Sequence, residues 1–217
     1  MSLAMDARER DLRSVSVELK EKVAKGPTAI EGAAHVHGLA AGFTSGDVTI
    51  EGDSGDYLGA LNNGATIRVK KNAGRYLADN MTRGTVVVEG DAGYGAGAYC
   101  YGGTVVVRGN AGDFAAVMNK GATIIIGGNA GDDVATYMLA GDLVIVGNTG
   151  KNLGNYLIRG DIYVGGQWES LGHNTLLEEM TPADLTKLHG YFSEYSIEAD
   201  PTTFKKIVRL SQKPFYK

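Results

Sequence analysis

Between residues 47 and 164 the chain alternates aliphatic and polar positions in short bursts, and each burst returns at every nineteenth position. Val48 and Ile50, Ile67 and Val69, Val86 and Val88, Val105 and Val107, Ile124 and Ile126, Leu143 and Ile145, and Ile162 and Val164 hold the same two places in successive repeats. Aliphatic residues two apart, mostly β-branched, predict a strand with one face always buried. A fixed period of this length predicts a solenoid in which each repeat is one coil stacked on the last. Six glycines keep the register at the same even spacing: Gly55, Gly74, Gly93, Gly112, Gly131 and Gly150.

The other rows of the repeat follow by counting from these markers. The residues between the inward pairs are Thr49, Arg68, Val87, Val106, Ile125, Val144 and Tyr163, which point outward yet turn apolar from the third coil on. Val87, Val106, Ile125 and Val144 therefore predict a cover, either the chain's own tail or a partner. Glu51, Lys70, Glu89 and Arg108 alternate in sign on strands about 4.8 Å apart, a ladder that favours correct register. Two before each marker stand Asp53, Asn72, Asp91, Asn110, Asn129 and Asn148, residues suited to a left-handed corner that bonds to its own neighbouring amides. A calcium ladder is the rival reading, and the four neutral asparagines weigh against it. Three and four after the marker, small pairs such as Leu77-Ala78 and Ala96-Gly97 predict a second strand, followed by a Leu61, Asn80, Tyr99, Met118, Tyr137 and Tyr156 row of core and rim. Gly93, Gly95 and Gly97 form a Gly-x-Gly-x-Gly string that marks the thinnest part of the wall, where a partner's backbone is expected. A dinucleotide fingerprint needs a different spacing between a strand and a helix.

Both ends read as helical. Leu12 to Lys25 sets Val15, Leu19 and Val23 at four-residue steps before Gly26-Pro27, so residues 1–27 form a capping helical segment and 28–167 the column. Gly38 to Phe43 matches the second half of a coil, and residues 168–217 form a loop and helical tail. Trp168 and His173 lie in a loop that shields the open end. Thr181-Pro182-Ala183-Asp184 is a helix start, with Leu185, Leu188 and Phe192 on one stripe, and Asp200-Pro201 reads as the start of a second helix carrying Phe204, Ile207 and Val208. Lys213 to Lys217 reads as a segment that orders on binding.

Composition narrows the chemistry. The net charge is −4 and Lys and Arg form no cluster interleaved with aromatics, which argues against nucleic acid. Cys100 is the single cysteine, so this chain has no disulfide framework, no zinc ribbon and no thiolate set for an iron–sulfur cluster. Four of the first ten residues are charged and no apolar run is long enough for a bilayer, so the chain is expected in the cytoplasm. His35 and His37, either side of Val36, would share one strand face as a metal pair, but no third ligand is near and ordinary hydrogen-bonded histidines are preferred. Ser54, in Gly52-Asp53-Ser54-Gly55, looks like a protease nucleophile but sits in the slot of Ala73, Ala92, Ala111 and Ala130. Asp113, Asp132 and Asp133 are the best carboxylates for a glycan-cleaving or other hydrolase acting from the outer wall, with exposed corner charge as the simpler account.

The Gly-x-Gly-x-Gly string inside these repeats resembles the carboxy-terminal domain of the large subunit of glutamate synthase, and the same repeat is similar to the C subunit of formylmethanofuran dehydrogenase. The resemblance runs from about Leu12 to Tyr195. It implies an all-β, single-stranded right-handed β-helix of six to seven coils with helical extensions at both ends. It also implies a non-catalytic scaffold, here as a free-standing subunit, between a glutamine amidotransferase and a flavin-dependent glutamate synthase subunit carrying FMN and an iron–sulfur cluster, in glutamate or N-methylglutamate synthesis. No catalytic, cofactor or metal residue of this chain is implied, since there is no amino-terminal cysteine nucleophile; a homo-oligomer is a further option.

Overall fold

The computed structural model describes residues 2–212, so the expectation for Lys213 to Lys217 lies outside the described residues. One 11-stranded sheet runs the length of the molecule. Its body is the parallel series β2 (Thr28–Glu31), β3 (Asp47–Ile50), β4 (Asn63–Val69), β5 (Arg83–Val88), β6 (Thr104–Val107), β7 (Lys120–Ile126), β8 (Ala140–Ile145) and β9 (Asp161–Val164). Each strand pairs with the next in the register of the repeat, Val48 with Ile67, Ile67 with Val86, and so on to Leu143 with Ile162. The chain is a parallel β-solenoid of about seven turns. The inward aliphatic pairs of every coil are buried in one continuous core, Ile67, Val86, Val105, Ile124 and Leu143 at 0% exposure. A second, one-residue bridge per coil links Ala73, Ala92, Ala111, Ala130, Thr149 and Trp168.

The column begins earlier than the aliphatic pairs suggest. β1 (Leu3–Asp6) adds a parallel strand beside β2 and buries Met5, an element too short to show a periodic pattern. Helix α1 (Leu12–Val23) is capped by Asp11 and sends the fully buried Val15 and Leu19 into the core. Its stripe closes the open end of the column against water.

Two expectations change. The second strand foreseen in each coil is absent: those residues form a chain of turns, described below. The second tail helix is a single 3₁₀ turn at Pro201–Thr203 followed by strand β11 (Lys205–Arg209). β11 pairs antiparallel with β9 on one side and with β10 (Thr175–Glu178) on the other. The open edge of β9 offers unpaired backbone groups, and satisfying them outweighs the helical spacing of Phe204, Ile207 and Val208. Helix α2 (Pro182–Tyr195) begins as expected, with Thr181 and Asp184 forming a reciprocal capping box. It lies over the outward apolar row: Val87, Val106, Ile125, Val144 and Tyr163 are buried beneath Leu188, Phe192 and Phe204 in a second core. The cover is the chain's own tail.

Candidate functional site: the glycine and tyrosine corner

Successive strands are joined by a segment that passes through the marker glycine. In every coil the residues two and four after the marker have left-handed backbone: Tyr76 and Ala78, Gly95 and Gly97, Phe114 and Ala116, Asp133 and Ala135, Asn152 and Gly154. The Gly-x-Gly-x-Gly string is the coil in which both such places are glycine. Left-handed backbone costs an ordinary residue about 1–2 kcal/mol, and hydrogen bonds between coils offset it. The amide two after the marker donates to the next coil, as Tyr76 N to Tyr94 O (2.8 Å), and the amide four after donates to the preceding coil, as Gly97 N to Leu77 O (2.8 Å). Alternating backbone aims successive rungs up and down the column.

This geometry corrects the reading of a thin wall at Gly95 and Gly97. Both are buried. A Cβ at Gly97 (φ 69°) would stand 2.7 Å from Ile124 Cδ1 inside the column, and one at Gly95 (φ 72°) would stand 2.8 Å from the Tyr76 ring outside it. Contacts within the chain are sufficient to require these glycines. The markers have no left-handed backbone; at Gly112 a Cβ would lie 2.9 Å from Tyr94 N in the coil before, so close stacking selects them.

Side chains one and two places after the marker stand on the outside, while those four after face the core. Tyr57 stacks on Tyr76 (4.9 Å between centroids), Tyr76 meets Tyr94 edge-on (5.4 Å), and Tyr94 meets Phe114 (5.2 Å). Tyr94 fills the row that Gly95 leaves empty. A second row, expected in the core or rim, also faces out: Leu61 is 60% exposed, Tyr137 stacks on Tyr156 (5.2 Å), and Tyr156 meets His173 at a tilt (4.8 Å). Lys120 Nζ sits 4.0 Å over the Tyr101 ring.

The polar rows hold the coils together. Asp53, Asn72, Asp91, Asn110, Asn129 and Asn148 accept the amide at the same place in the next coil, for example Asp91 N to Asn72 Oδ1 (2.9 Å) and Asn148 N to Asn129 Oδ1 (2.8 Å). They bond across coils, where the sequence suggested bonding to their own neighbours, and their backbone is not left-handed. A second ladder follows the markers. His37 Nδ1 accepts Asp56 N (2.9 Å), Asp56 Oδ1 accepts Arg75 N (2.7 Å), Asp113 Oδ1 accepts Asp132 N (2.9 Å) and Asp132 Oδ1 accepts Lys151 N (2.8 Å). Asp113 and Asp132 thus each commit an oxygen to the ladder. His35 Nε2 lies 3.0 Å from Arg10 O, and His35 and His37 lie in the turns after β2, so they share no strand face. Of the charge ladder the Glu89–Arg108 pair closes at 2.8 Å. Ser54 is buried in the alanine row.

Sequence reasoning missed two buried asparagines and an ionic cluster. Asn62 and Asn119 are fully buried, each at the seventh place after its marker. Asn119 Oδ1 accepts Gly121 N and Ala122 N, and its Nδ2 donates to Ala122 O (2.9 Å). Cys100 shares this row; burial pushes its thiol up to about 12, so it is no thiolate nucleophile near neutrality. Beneath the start of α2, Tyr163 Oη donates to Asp184 Oδ1 (2.6 Å) and Lys206 Nζ lies 3.2 Å from Asp184. Lys187 Nζ lies 3.0 Å from Asp142, and Tyr191 Oη donates to Asp142 Oδ2 (2.6 Å). Burial opposes charge on Asp184, yet bonds from Thr181, Tyr163 and Lys206 outweigh it and hold the carboxyl well below the usual range. Burial and Asp142 push Tyr191 up to about 12. Every group in the cluster has a partner on α2, β8, β9 or β11, so its role is to clasp the tail.

Among the described residues no group of three or more His, Cys, Asp or Glu is placed to hold a metal, and no helix is long and apolar enough to cross a membrane. No curated protein matches the sequence. The model of the family described as GXGXG motif matches residues 47–197, more than half of the chain. That span contains the coils, the left-handed corner and the tail helix that covers the outward row. The chain belongs to the GXGXG motif family, the family of the glutamate synthase carboxy-terminal domain.

Proposed function

We propose that this chain is a non-catalytic scaffold of a glutamate synthase-type assembly, holding a glutamine amidotransferase against a flavin-dependent, iron–sulfur synthase so that ammonia passes between them. The observation that carries the reading is the family match across the coils. The architecture supports it physically: backbone rungs, side-chain ladders and a continuous core make a stiff column, and a stiff column fixes the spacing of whatever docks on it. Asp113, Asp132 and His37, among the residues nearest to a catalytic arrangement, are bound into inter-coil ladders. FMN and the iron–sulfur cluster belong, on this reading, to the partner. The proposal holds for a free-standing subunit and for a domain of a longer chain alike. Purification from the source cell with a tag on this chain tests it. The expected result is co-recovery of a glutaminase and a flavoprotein in fixed ratio. Recovery of neither sinks the reading.

A further inference from the structure

Of the nine large apolar side chains exposed among the described residues, five stand on the tyrosine corner: Tyr57, Leu61, Tyr94, Tyr101 and Tyr137. The other four are spread over α1, β10 and the end of β11. A concentration of this kind marks a contact surface. The ring geometry says what kind. Tyr57 and Tyr76 are stacked 10° from parallel, and Tyr137 and Tyr156 9° from parallel. In each pair one face of each ring is covered by the other, Tyr76 and Tyr94 meet edge to face, and Lys120 sits over the Tyr101 ring. A sugar or base needs an open ring face, whereas a protein surface accepts edges and hydroxyls.

The charges select the protein. The row after the marker glycines reads Asp56, Arg75, Tyr94, Asp113, Asp132, Lys151, one residue per stacked coil, with Asp56 bonded to Arg75 and Asp113 to Asp132 to Lys151. Laid against itself in reverse, Asp56 opposes Lys151, Arg75 opposes Asp132, and Tyr94 opposes Asp113. No like charges meet. The adjoining row gives Tyr76 against Asp133 and Tyr57 against Asn152. A two-fold axis crossing the column at right angles, between the coils of Gly93 and Gly112, imposes this pairing, because it reverses the coil order and keeps each row on its own line. The Tyr94–Asp113 contacts then lie nearest the axis and the opposite-charge pairs form the rim of one interface. The Lys151 ammonium pairs with exposed Glu169 at 3.3 Å, an exchangeable surface pair.

We propose that the tyrosine corner joins two copies of this chain as an antiparallel, isologous dimer. The inference is independent of the scaffold reading. Light scattering and sedimentation of the purified full chain at about 50 µM and low salt should give twice the 22.8 kDa chain mass. Arg75→Glu and Lys151→Glu, both exposed, should each weaken the dimer roughly tenfold or more through like-charge contacts, with circular dichroism and melting temperature matching the parent. Carbodiimide cross-linking of mixed ¹⁴N and ¹⁵N protein should join Lys151 of one copy to Asp56 of the other. Within one chain five coils separate these residues by roughly 24 Å, too far for a zero-length link. A monomer, a dimer indifferent to Arg75→Glu, or cross-links confined to other faces overturns the proposal. So does a corner protected from exchange only when a different protein is added. The cross-linking uses the unmodified sequence and stays decisive if a variant fails to fold.

Discussion

At the scale of single residues, the corner is expensive backbone held in place by its neighbours. Ala78, Ala116 and Ala135 accept left-handed backbone with a Cβ present, because the space around them admits one. Gly97 does not have that space, since Ile124 fills it from within. Gly97→Ala adds a left-handed penalty and an overpacked contact, so the expected loss is about 2–4 kcal/mol, read as a shift in the urea midpoint. Asn62 and Asn119 solve a different problem at the next bend. Each replaces backbone partners for amides that turn away from the ladder, and each is fully satisfied, as buried polar groups must be.

At the scale of elements, α2 is a lid fastened at two places. Leu188 and Phe192 lie on the outward aliphatic row, and the Asp184 cluster pins the helix start. The acid response follows from the second fastening. Asp184 is held below the usual carboxyl range in the folded chain, while the unfolded chain titrates near pH 4. Below that pH the unfolded state takes up a proton that the folded state refuses, so acid favours unfolding. The stabilisation is complete above the unfolded value and is lost as pH falls through the folded one. Asp184→Asn should cost about 2–3 kcal/mol at pH 7 by removing the buried charge that Lys206 faces and one of the two acceptor oxygens that Tyr163 and Thr181 share. The gap between variant and parent melting temperatures should narrow as pH is lowered from 6 to 2. A constant gap would show that Asp184 acts by packing alone.

At the scale of the molecule, the continuous core of a solenoid is built from contacts between adjacent coils, so each coil depends on the coil beside it and the ends need caps. Leu19 of α1 is fully buried in the first coil's interior. Leu19→Ala should cost about 2–5 kcal/mol and should be felt locally. Amide exchange is expected to rise in β1, β2 and β3 while β7 and β8 keep their protection. Uniform loss along the column would mean that the coils unfold as one unit. A body of this kind transmits position without moving, which is the property that the proposed scaffold and the proposed dimer both use.

The repeat itself was legible, because an aliphatic pair that must face inward in every coil leaves a period that no other constraint blurs. The helix starts at Asp11 and Thr181 were legible for a local reason: capping is settled by residues within one turn. The tertiary structure alone decided the left-handed corner. Tyr76, Phe114 and Asp133 carry no local sign of it, and the rungs that stabilise it reach a full coil along the chain, as from Tyr76 to Tyr94. It also turned the expected tail helix into β11, since the open edge it pairs with belongs to β9, on the far side of β10 and α2 in sequence. The same folding gathered Asp142, Asp161, Asp184, Lys187 and Lys206 into one clasp. Gly95 and Gly97 looked like an opening to a partner and are instead filled from both sides. Sequence determines what each coil repeats; only stacking determines what each coil's neighbour supplies.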